Sequence, residues 1–341
     1  MPKKSTKVLI RNTVVLTISI ILLIVGAGCI YADHMLGRIN YIENTASNPN
    51  TDPLFKQENG TNAKSGLLGG LYHDDAITNI LVMGVDDYQP NDPGRSDSMI
   101  LVSIDSRHNK LKLTSFMRDL YVAIPGHGNN RINVGYAVGG PQLAVKTIES
   151  NFGTDIDRFV LIDFDSFSQI VDKLGGVNIE LSQIEADLIN RNSGDPKRNL
   201  KEGNFLLTGK QALYYARIRN KEDNYDFGRT QRQRKLFSSI VNKFKSADLG
   251  TINQAMYDVL PLMATNMTKN EILDMATNSP TYLNYPISQN RIPADGEFDG
   301  DDVLISGTRA KVLVPDLDKC RQSVASFIYE DEIPTGEYSK D

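Results

Sequence analysis

Arginine and aspartate are the side chains of this 341-residue chain whose placement suggests chemistry. Asp86 and Asp87 follow an apolar run, "GRSDS" supplies Arg95 and Asp97, and "MRD" supplies Arg118 and Asp119 after another apolar run. Further on, "ARIRN" brings Arg217 and Arg219, and "DFGRTQRQRK" brings Arg229, Arg232, Gln233 and Arg234. Taken singly, each has an ordinary reading: aspartates after strands form turns, and helical arginines face water. Taken together they suit a polyanion that brings a metal. Guanidinium forks grip phosphate oxygens bidentately and stay charged. Two carboxylates can hold Mg²⁺ while diphosphate oxygens and water complete its shell. Such a site moves a phosphoryl group by positioning and charge neutralisation, without a protein nucleophile.

Other chemistries lack their residues. "TGKQ" (Thr208 to Gln211) has neither the upstream glycine nor the hydroxyl residue of a phosphate-binding loop, and no GxSxG elbow occurs. His34, His73, His108 and His127 show no ligand spacing, and two cysteines, Cys29 and Cys320, make neither a disulfide framework nor a zinc site. Helix geometry sorts the last arginines. On the helix from Arg229 the apolar stripe is Leu236, Phe237, Ile240, Val241 and Phe244. At 100° per residue, Arg229 and Gln233 project within about 20° of Ile240, which favours a pocket role for both. Arg234 and Lys235 project away, and Arg232 flanks the stripe. Arg217 and Arg219 converge only if their helix has ended and the chain is extended.

The elements that must position these residues alternate between strand and helix. "NILVMG" reads as a buried strand, and "SMILVSI" and "KLKLTSF" as a hairpin around "DSRHN". A helix near Pro141 to Phe152, the strand "RFVLIDF", a helix over Ser166 to Leu174 and the strand "VNIEL" follow. Thr208 and Gln211 form a capping box for a helix over Gly209 to Ala216. Helices over Arg229 to Lys245 and Ile252 to Ala264 come next, then a closing strand and helix. The expectation is one α/β domain over residues 76–330, with a central mixed sheet flanked by helices.

The N-terminus bears on where this domain works. Lys3, Lys4, Lys7 and Arg11 carry +4, and the 21 residues from Asn12 to Ala32 carry no charge. That length spans a bilayer as a helix, and the basic flank keeps the N-terminus inside. The reading is a cytoplasmic tail over 1–11, a transmembrane helix over 12–32, a flexible stalk over 33–75 and a C-terminal tail over 331–341. A lipoprotein-like cut before Cys29 is the rival reading. With a total of −5, the chain beyond Arg11 carries −9, which gives no electrostatic footprint for nucleic acid.

The ordered set "LVMGVDD", "GRSDSMILVSID", "SFMRDLYVAIPGHG", "RINVGYAVGG", "GGVNIEL", "LTGKQALYYARIRN" and "DFGRTQRQRK" closely resembles the LytR–CpsA–Psr family. The resemblance implies a single-pass protein of the Gram-positive envelope whose domain lies outside the cell. It implies transfer of an anionic glycopolymer (teichoic acid, capsule or a related polysaccharide) from a polyprenyl-pyrophosphate carrier to a peptidoglycan sugar hydroxyl. By the same resemblance, Asp86 and Asp97 hold Mg²⁺, with Mn²⁺ as a substitute. Arg95, Arg118, Arg217, Arg219, Arg229 and Gln233 line the pyrophosphate site, and Asp97 and Arg118 are the catalytic candidates. Arg131 stands where relatives often have Lys. A pyrophosphate-binding protein or pyrophosphatase without transfer is the alternative, and a transcription regulator with Arg229 to Lys235 as a recognition helix is disfavoured by the anchor.

Overall fold

Aliphatic runs interrupted by polar turns build the sheet at the centre of the molecule. The computed structural model describes residues 31–42, 65–68, 70–86, 94–221, 225–246, 249–305 and 307–330. The strands are β1 (Asn40–Tyr41), β2 (Ser65–Leu68), β3 (Leu71–Asp74), β4 (Ile77–Val85), β5 (Ser96–Asp105), β6 (Lys110–Phe116), β7 (Tyr121–Ile124) and β8 (Gly128–Arg131). They continue as β9 (Arg158–Asp163), β10 (Val177–Leu181), β11 (Gly203–Leu207), β12 (Ala264–Thr265), β13 (Ile287–Ile292), β14 (Phe298–Ile305) and β15 (Thr308–Pro315). Seven of these described strands form a mixed sheet in the order β1-β12-β9-β4-β5-β6-β13, and the other eight form four two-stranded antiparallel sheets. The "DSRHN" turn joins β5 to β6 as the sequence predicts, and Asn109 takes the left-handed conformation there at φ +54°.

Helices cover both faces of the sheet. On one side α1 (Val134–Phe152) and, near the C-terminus, α8 (Leu317–Tyr329) bury Ile148, Phe152, Val324 and Ile328 against Leu81, Met83, Leu101 and Phe116. The Phe116 and Phe152 rings lie 5.0 Å apart, and full burial of each ring is worth about 1.5–3 kcal/mol. A satellite core is built by α2 (Phe164–Lys173), α3 (Gln183–Asn192), α4 (Gly209–Arg217) and the antiparallel β10–β11 pair around Val171, Ile179, Ile189 and Tyr215. The predicted capping box starts α4: Gln211 N donates to Thr208 Oγ1 at 3.3 Å, and Thr208 N to Gln211 Oε1 at 3.1 Å. Gly209 follows because a Cβ there would lie 2.0 Å from Ser168 O. Next come α5 (Asp226–Ser246), α6 (Leu249–Val259) and α7 (Lys269–Tyr282). α5 and α7 cover the second face of the sheet, where Phe237, Val241 and Met275 meet Ile80, Ile100, Val102 and Leu113.

The chain divides into two units, Met1–Ile39 and Asn40–Asp341. In the first, residues 31–36 are helical and Gly37 N donates to Asp33 O at 2.8 Å. The apolar run over 12–30, most of the stalk and residues 331–341 lie outside the described residues. Among the described residues no helix is long and apolar enough to cross a membrane. The second unit takes in residues that composition assigns to the stalk: Asn40–Tyr41 pair with β12, and Tyr72 of β3 is buried in the main core. Backbone pairing needs few apolar side chains, so a polar stretch can still add a strand. The expected helix over Ile252 to Ala264 is α6 followed by a 3₁₀ turn over Leu260–Leu262 and then β12.

One buried charge cluster ties the C-terminal helix to the sheet. Lys112 is 1% exposed; its Nζ lies 2.6 Å from Asp105 Oδ2, 2.6 Å from Ile328 O and 3.0 Å from Glu330 Oε1. Burial alone would raise the Asp105 carboxyl, but Lys112 and the His108 donors hold it below its usual value. Lys112→Ala leaves Asp105 buried without its ammonium, and a loss of about 3–5 kcal/mol in unfolding free energy is expected. Because the Asp105 pKa is lowered on folding, this stabilisation is present above the unfolded-state value and lost as pH falls through the folded one. Urea titrations from pH 7 downward should show wild type and Lys112→Ala converging.

Candidate active site

The sequence-predicted residues gather where β4, β6 and β9 end and β5 begins. β4 and β5 pair Gly84 with Ser98 but Val85 with Ser96, so Asp97 is the extra residue of a β-bulge. A bulge re-aims the side chain at its apex, and Asp97 Oδ1 lies 2.5 Å from Arg118 Nη1. Arg118 follows β6 directly, through Met117. Asp86 follows β4; its Oδ1 accepts from Arg95 N at 2.5 Å, and its own N donates to Arg95 O at 3.2 Å. Gly94 makes that turn: its φ is +68°, and a Cβ there would lie 1.9 Å from Asp86 O. Arg95 itself is exposed, so Asp86 positions its backbone at the rim. Asp87 lies outside the described residues. Gly94→Ala should therefore detach Arg95 from Asp86 and lower turnover with little change in melting temperature.

The first turn of α5 supplies the other half. Arg229 is 3% exposed, and its Nη2 lies 3.0 Å from Asp226 Oδ1, the i,i+3 pairing that helical spacing allows. Arg219 Nε reaches the same oxygen at 3.1 Å. Burial, and repulsion from Arg118 and Arg219, push the Arg229 guanidinium down to about 10 despite Asp226. Arg118 moves the opposite way: burial opposes its charge, but Asp97, Asp119 and Asp226 raise its pKa. Asp119 sits between two cations, with Oδ2 3.7 Å from Arg118 Nε and Oδ1 3.5 Å from Arg131 Nε. Burial and a hydrogen bond to Asp226 raise the Asp119 pKa. At Asp226 burial also pulls upward, but a hydrogen bond with Asp119 and three arginines hold its pKa down.

Arg217 and Arg219 meet the condition set for convergence. α4 ends at Arg217, and Ile218 (φ −56°, ψ 131°) is extended, so Ile218 turns into the core at 3% exposure while its neighbours face out. The Arg217 guanidinium lies 4.6 Å from the Phe164 ring centre, just past the end of β9, a cation–π contact. Gln233 is half-buried, and its Nε2 donates to Ala216 O at 3.5 Å, tying α5 to the end of α4.

Two arginines differ from their helical-face reading. Arg232, expected at the flank, is 3% exposed; its Nε donates to Glu185 Oε1 at 2.8 Å and its Nη1 to Ile218 O at 2.9 Å. Arg234, expected to point outward, is 9% exposed, with Nε 3.3 Å from Gln289 Oε1 on β13. The reason is layering: α5 is packed on one side by the satellite core and on another by the sheet, so two of its faces are inward. Sequence reasoning also leaves Asp119 and Asp226 without roles. The signal for Asp226 was its place three residues before Arg229 at a helix start, where an acid also favours the helix dipole.

Asp105, His108 and Glu330 form an acidic and histidine group whose ligand atoms lie within 4.8 Å of one another, a spacing that could hold a metal ion. The Lys112 ammonium already occupies the space between Asp105 and Glu330. This group lies at the far end of β5 from Asp97. At the near end, Asp86 and Asp97 each engage the protein through Oδ1, which leaves Oδ2 for a ligand. Two carboxylates beside arginines are a hard-oxygen donor set that fits Mg²⁺ shared with a phosphate.

The chain is 30% identical over 294 residues to the polyisoprenyl-teichoic acid–peptidoglycan teichoic acid transferase TagU of Oceanobacillus iheyensis, covering 84% of each chain. It is also 30% identical over 283 residues to the protein of the same name from Bacillus anthracis, covering 82% of this chain and 87% of that one. Among solved structures it superposes on TagV of B. subtilis with a TM-score of 0.59 at 25% identity, covering 75% of this chain and 99% of that one. TagT bound to LI-WTA gives the same TM-score and identity, with 76% and 91% covered. Residues 40–316 match the LytR_cpsA_psr family. With most of its length so matched, the chain belongs to that family.

Proposed function

We propose that this protein transfers a teichoic acid or related anionic glycopolymer from a polyprenyl-pyrophosphate carrier to a sugar hydroxyl of peptidoglycan. The observation that carries the reading is the arrangement of Arg118, Arg219 and Arg229 around Asp97, Asp119 and Asp226. A buried arginine pressed by two others is costly unless an anion completes the set. The TagU relatives, which match most of this chain, carry the name of such a transferase.

In the reaction, the acceptor hydroxyl oxygen attacks the polymer-side phosphorus of the diphosphate. The bond from that phosphorus to the bridging oxygen breaks, and polyprenyl phosphate leaves. Arg118 and Arg229 hold the oxygens on which charge grows, and Asp97, the bulge residue beside Arg118, takes the acceptor proton. Asp86 and Asp97 would hold Mg²⁺, which when bound neutralises diphosphate charge. Asp226 holds Arg219 and Arg229 side by side on one carboxylate oxygen and aims them, and Arg131 acts through Asp119.

The test is incubation of the detergent-extracted full chain with a lipid-diphosphate-linked polymer and a peptidoglycan fragment. Polymer joined to the fragment supports transfer, whereas release of polyprenyl phosphate with free polymer identifies water as the acceptor. The recognition-helix reading has no support in α5, because Arg229, Arg232 and Arg234 are all buried. An external domain on the 12–32 anchor is part of the same proposal. A cysteine placed at Ser47 should react with an impermeant reagent only from outside; Cys320 is fully buried and should stay silent.

A further inference from the structure

Beside the arginines stands a neutral amide that the protein leaves unused. Asn133 lies between β8 and α1, and its backbone N–H points at Arg118 O, 3.5 Å away. Ile132 before it donates to Leu120 O at 2.8 Å and turns into the main core at 1% exposure. Arg131, on the other side of Ile132, reaches Asp119 Oδ1. The segment that carries Asn133 therefore runs along Arg118 to Leu120, and Arg118 is the residue whose guanidinium bonds Asp97. Asparagine at a helix start ordinarily caps it, from an extended backbone and through its side-chain oxygen. Here the backbone is already helical (φ −68°, ψ −14°) and the side chain makes no capping bond. Asn133 is only 5% exposed, close to the 3% of Arg229, and its Oδ1 is buried without a hydrogen-bond partner. Helix capping does not account for this residue, and an unsatisfied buried acceptor costs stability.

The chemistry of the orphaned atoms says what would satisfy them. Arg118 Nε, Arg131 Nε and Arg229 Nε are buried without a hydrogen bond, and all three are donors. Such donors suit phosphate oxygens, which accept. An ionised phosphate has no proton to give, so it cannot satisfy Asn133 Oδ1. A sugar can, because a hydroxyl both donates and accepts and an acetamido group brings an N–H. In the transfer derived above, Asp97 takes the proton of the attacking hydroxyl, so the acceptor sugar lies against the Arg118 side of the site. We propose that Asn133 is a specificity residue for the acceptor, its Oδ1 accepting a hydrogen bond from a neighbouring hydroxyl or acetamido N–H of the peptidoglycan sugar. The proposal rests on the transferase reading and deepens it. Asp97 receives the reacting proton, and Asn133 holds the ring that carries the reacting oxygen.

The experiment titrates the detergent-extracted full chain separately with a soluble peptidoglycan disaccharide, with farnesyl diphosphate and with a lipid-diphosphate-linked polymer. Asn133→Ala should weaken disaccharide binding about tenfold, the size of one lost hydrogen bond, and leave farnesyl diphosphate affinity unchanged. Its melting temperature should hold or rise, because a buried polar group without a partner has been removed. Asn133→Asp keeps an acceptor oxygen in the same place. It should keep disaccharide binding and lose farnesyl diphosphate affinity, since it sets a negative charge beside the phosphate site. Asn129→Ala, on the exposed turn of β8, should change nothing. Unchanged disaccharide affinity in Asn133→Ala, or no disaccharide binding by the unsubstituted chain, overturns the assignment. Farnesyl diphosphate affinity lost in Asn133→Ala would make the amide a phosphate contact, and loss confined to the polymer-linked donor would make it a donor-sugar contact; both overturn the proposal. A lower melting temperature with every ligand weakened equally overturns it in favour of a structural role. Failure of the transferase reading is distinguishable: the unsubstituted chain would bind the disaccharide in an Asn133-dependent way yet join no polymer to peptidoglycan.

Discussion

Replacing Arg229 by alanine should cut polymer transfer by about 10²-fold or more while the protein still folds. The expectation follows from its position: a nearly fully buried guanidinium, aimed by Asp226 and crowded by Arg118 and Arg219. Loss of one preorganised donor to a developing anion costs about 2.7–4 kcal/mol of transition-state stabilisation. Arg118→Ala should fall in the same range, and Arg118→Lys should recover only part of it, since a point charge cannot reproduce a bidentate fork. Arg232→Ala is the contrast on the same helix. It leaves Glu185 without its partner and exposes no phosphate contact, so its melting temperature should drop and its turnover per folded molecule should not. Full activity in Arg229→Ala, with a melt like wild type, would mean that the arginine cluster is structural and the polyanion binds elsewhere.

The second large effect concerns Asp97. Asp97→Asn keeps the bulge and most of the shape but removes the negative charge beside Arg118, and with it one metal ligand and the acceptor's base. Loss of about 10²–10⁴-fold in turnover is expected, the range for a positioned proton acceptor. Asp86→Asn should lose metal-dependent activity to a comparable degree, and raising Mg²⁺ should restore it in part, because Asp97 remains as a ligand. Asp87→Asn should matter less, since neighbours in sequence rarely point into one site. Activity that persists in chelator would remove the metal from the reaction and leave Asp97 as a base alone.

How the sequence relates to these sites differs from residue to residue. The strand and helix runs were legible because they are local: "DSRHN" turns, Thr208 and Gln211 cap, and the apolar alternation of β4 to β6 needs no distant partner to be read. Arg229 and Gln233 could be placed on an inward face from spacing, because one apolar stripe sets a direction. The ordered motifs identified the family, whose match over residues 40–316 agrees. β13 has no strand signature in the sequence because "ISQNRI" is an edge strand whose Gln289 and Arg291 face α5, and half-polar edges carry no alternation signal.

What spacing alone could not supply is what stands opposite a side chain. Asp226 becomes part of the site because α5 begins where Arg219 leaves α4, and Asp119 because β6 ends beside both. Asp97 is distinguished from its neighbours by a bulge, a mismatch between two strands that neither strand's sequence contains. A helical projection sends Arg234 outward because it knows one stripe, while the folded helix lies between two layers. The residue types and their order were therefore settled by the chain itself, through local propensity and periodicity. Their pairing, burial and shifted proton affinities were settled only when separate elements packed, since these depend on distances between residues far apart in sequence.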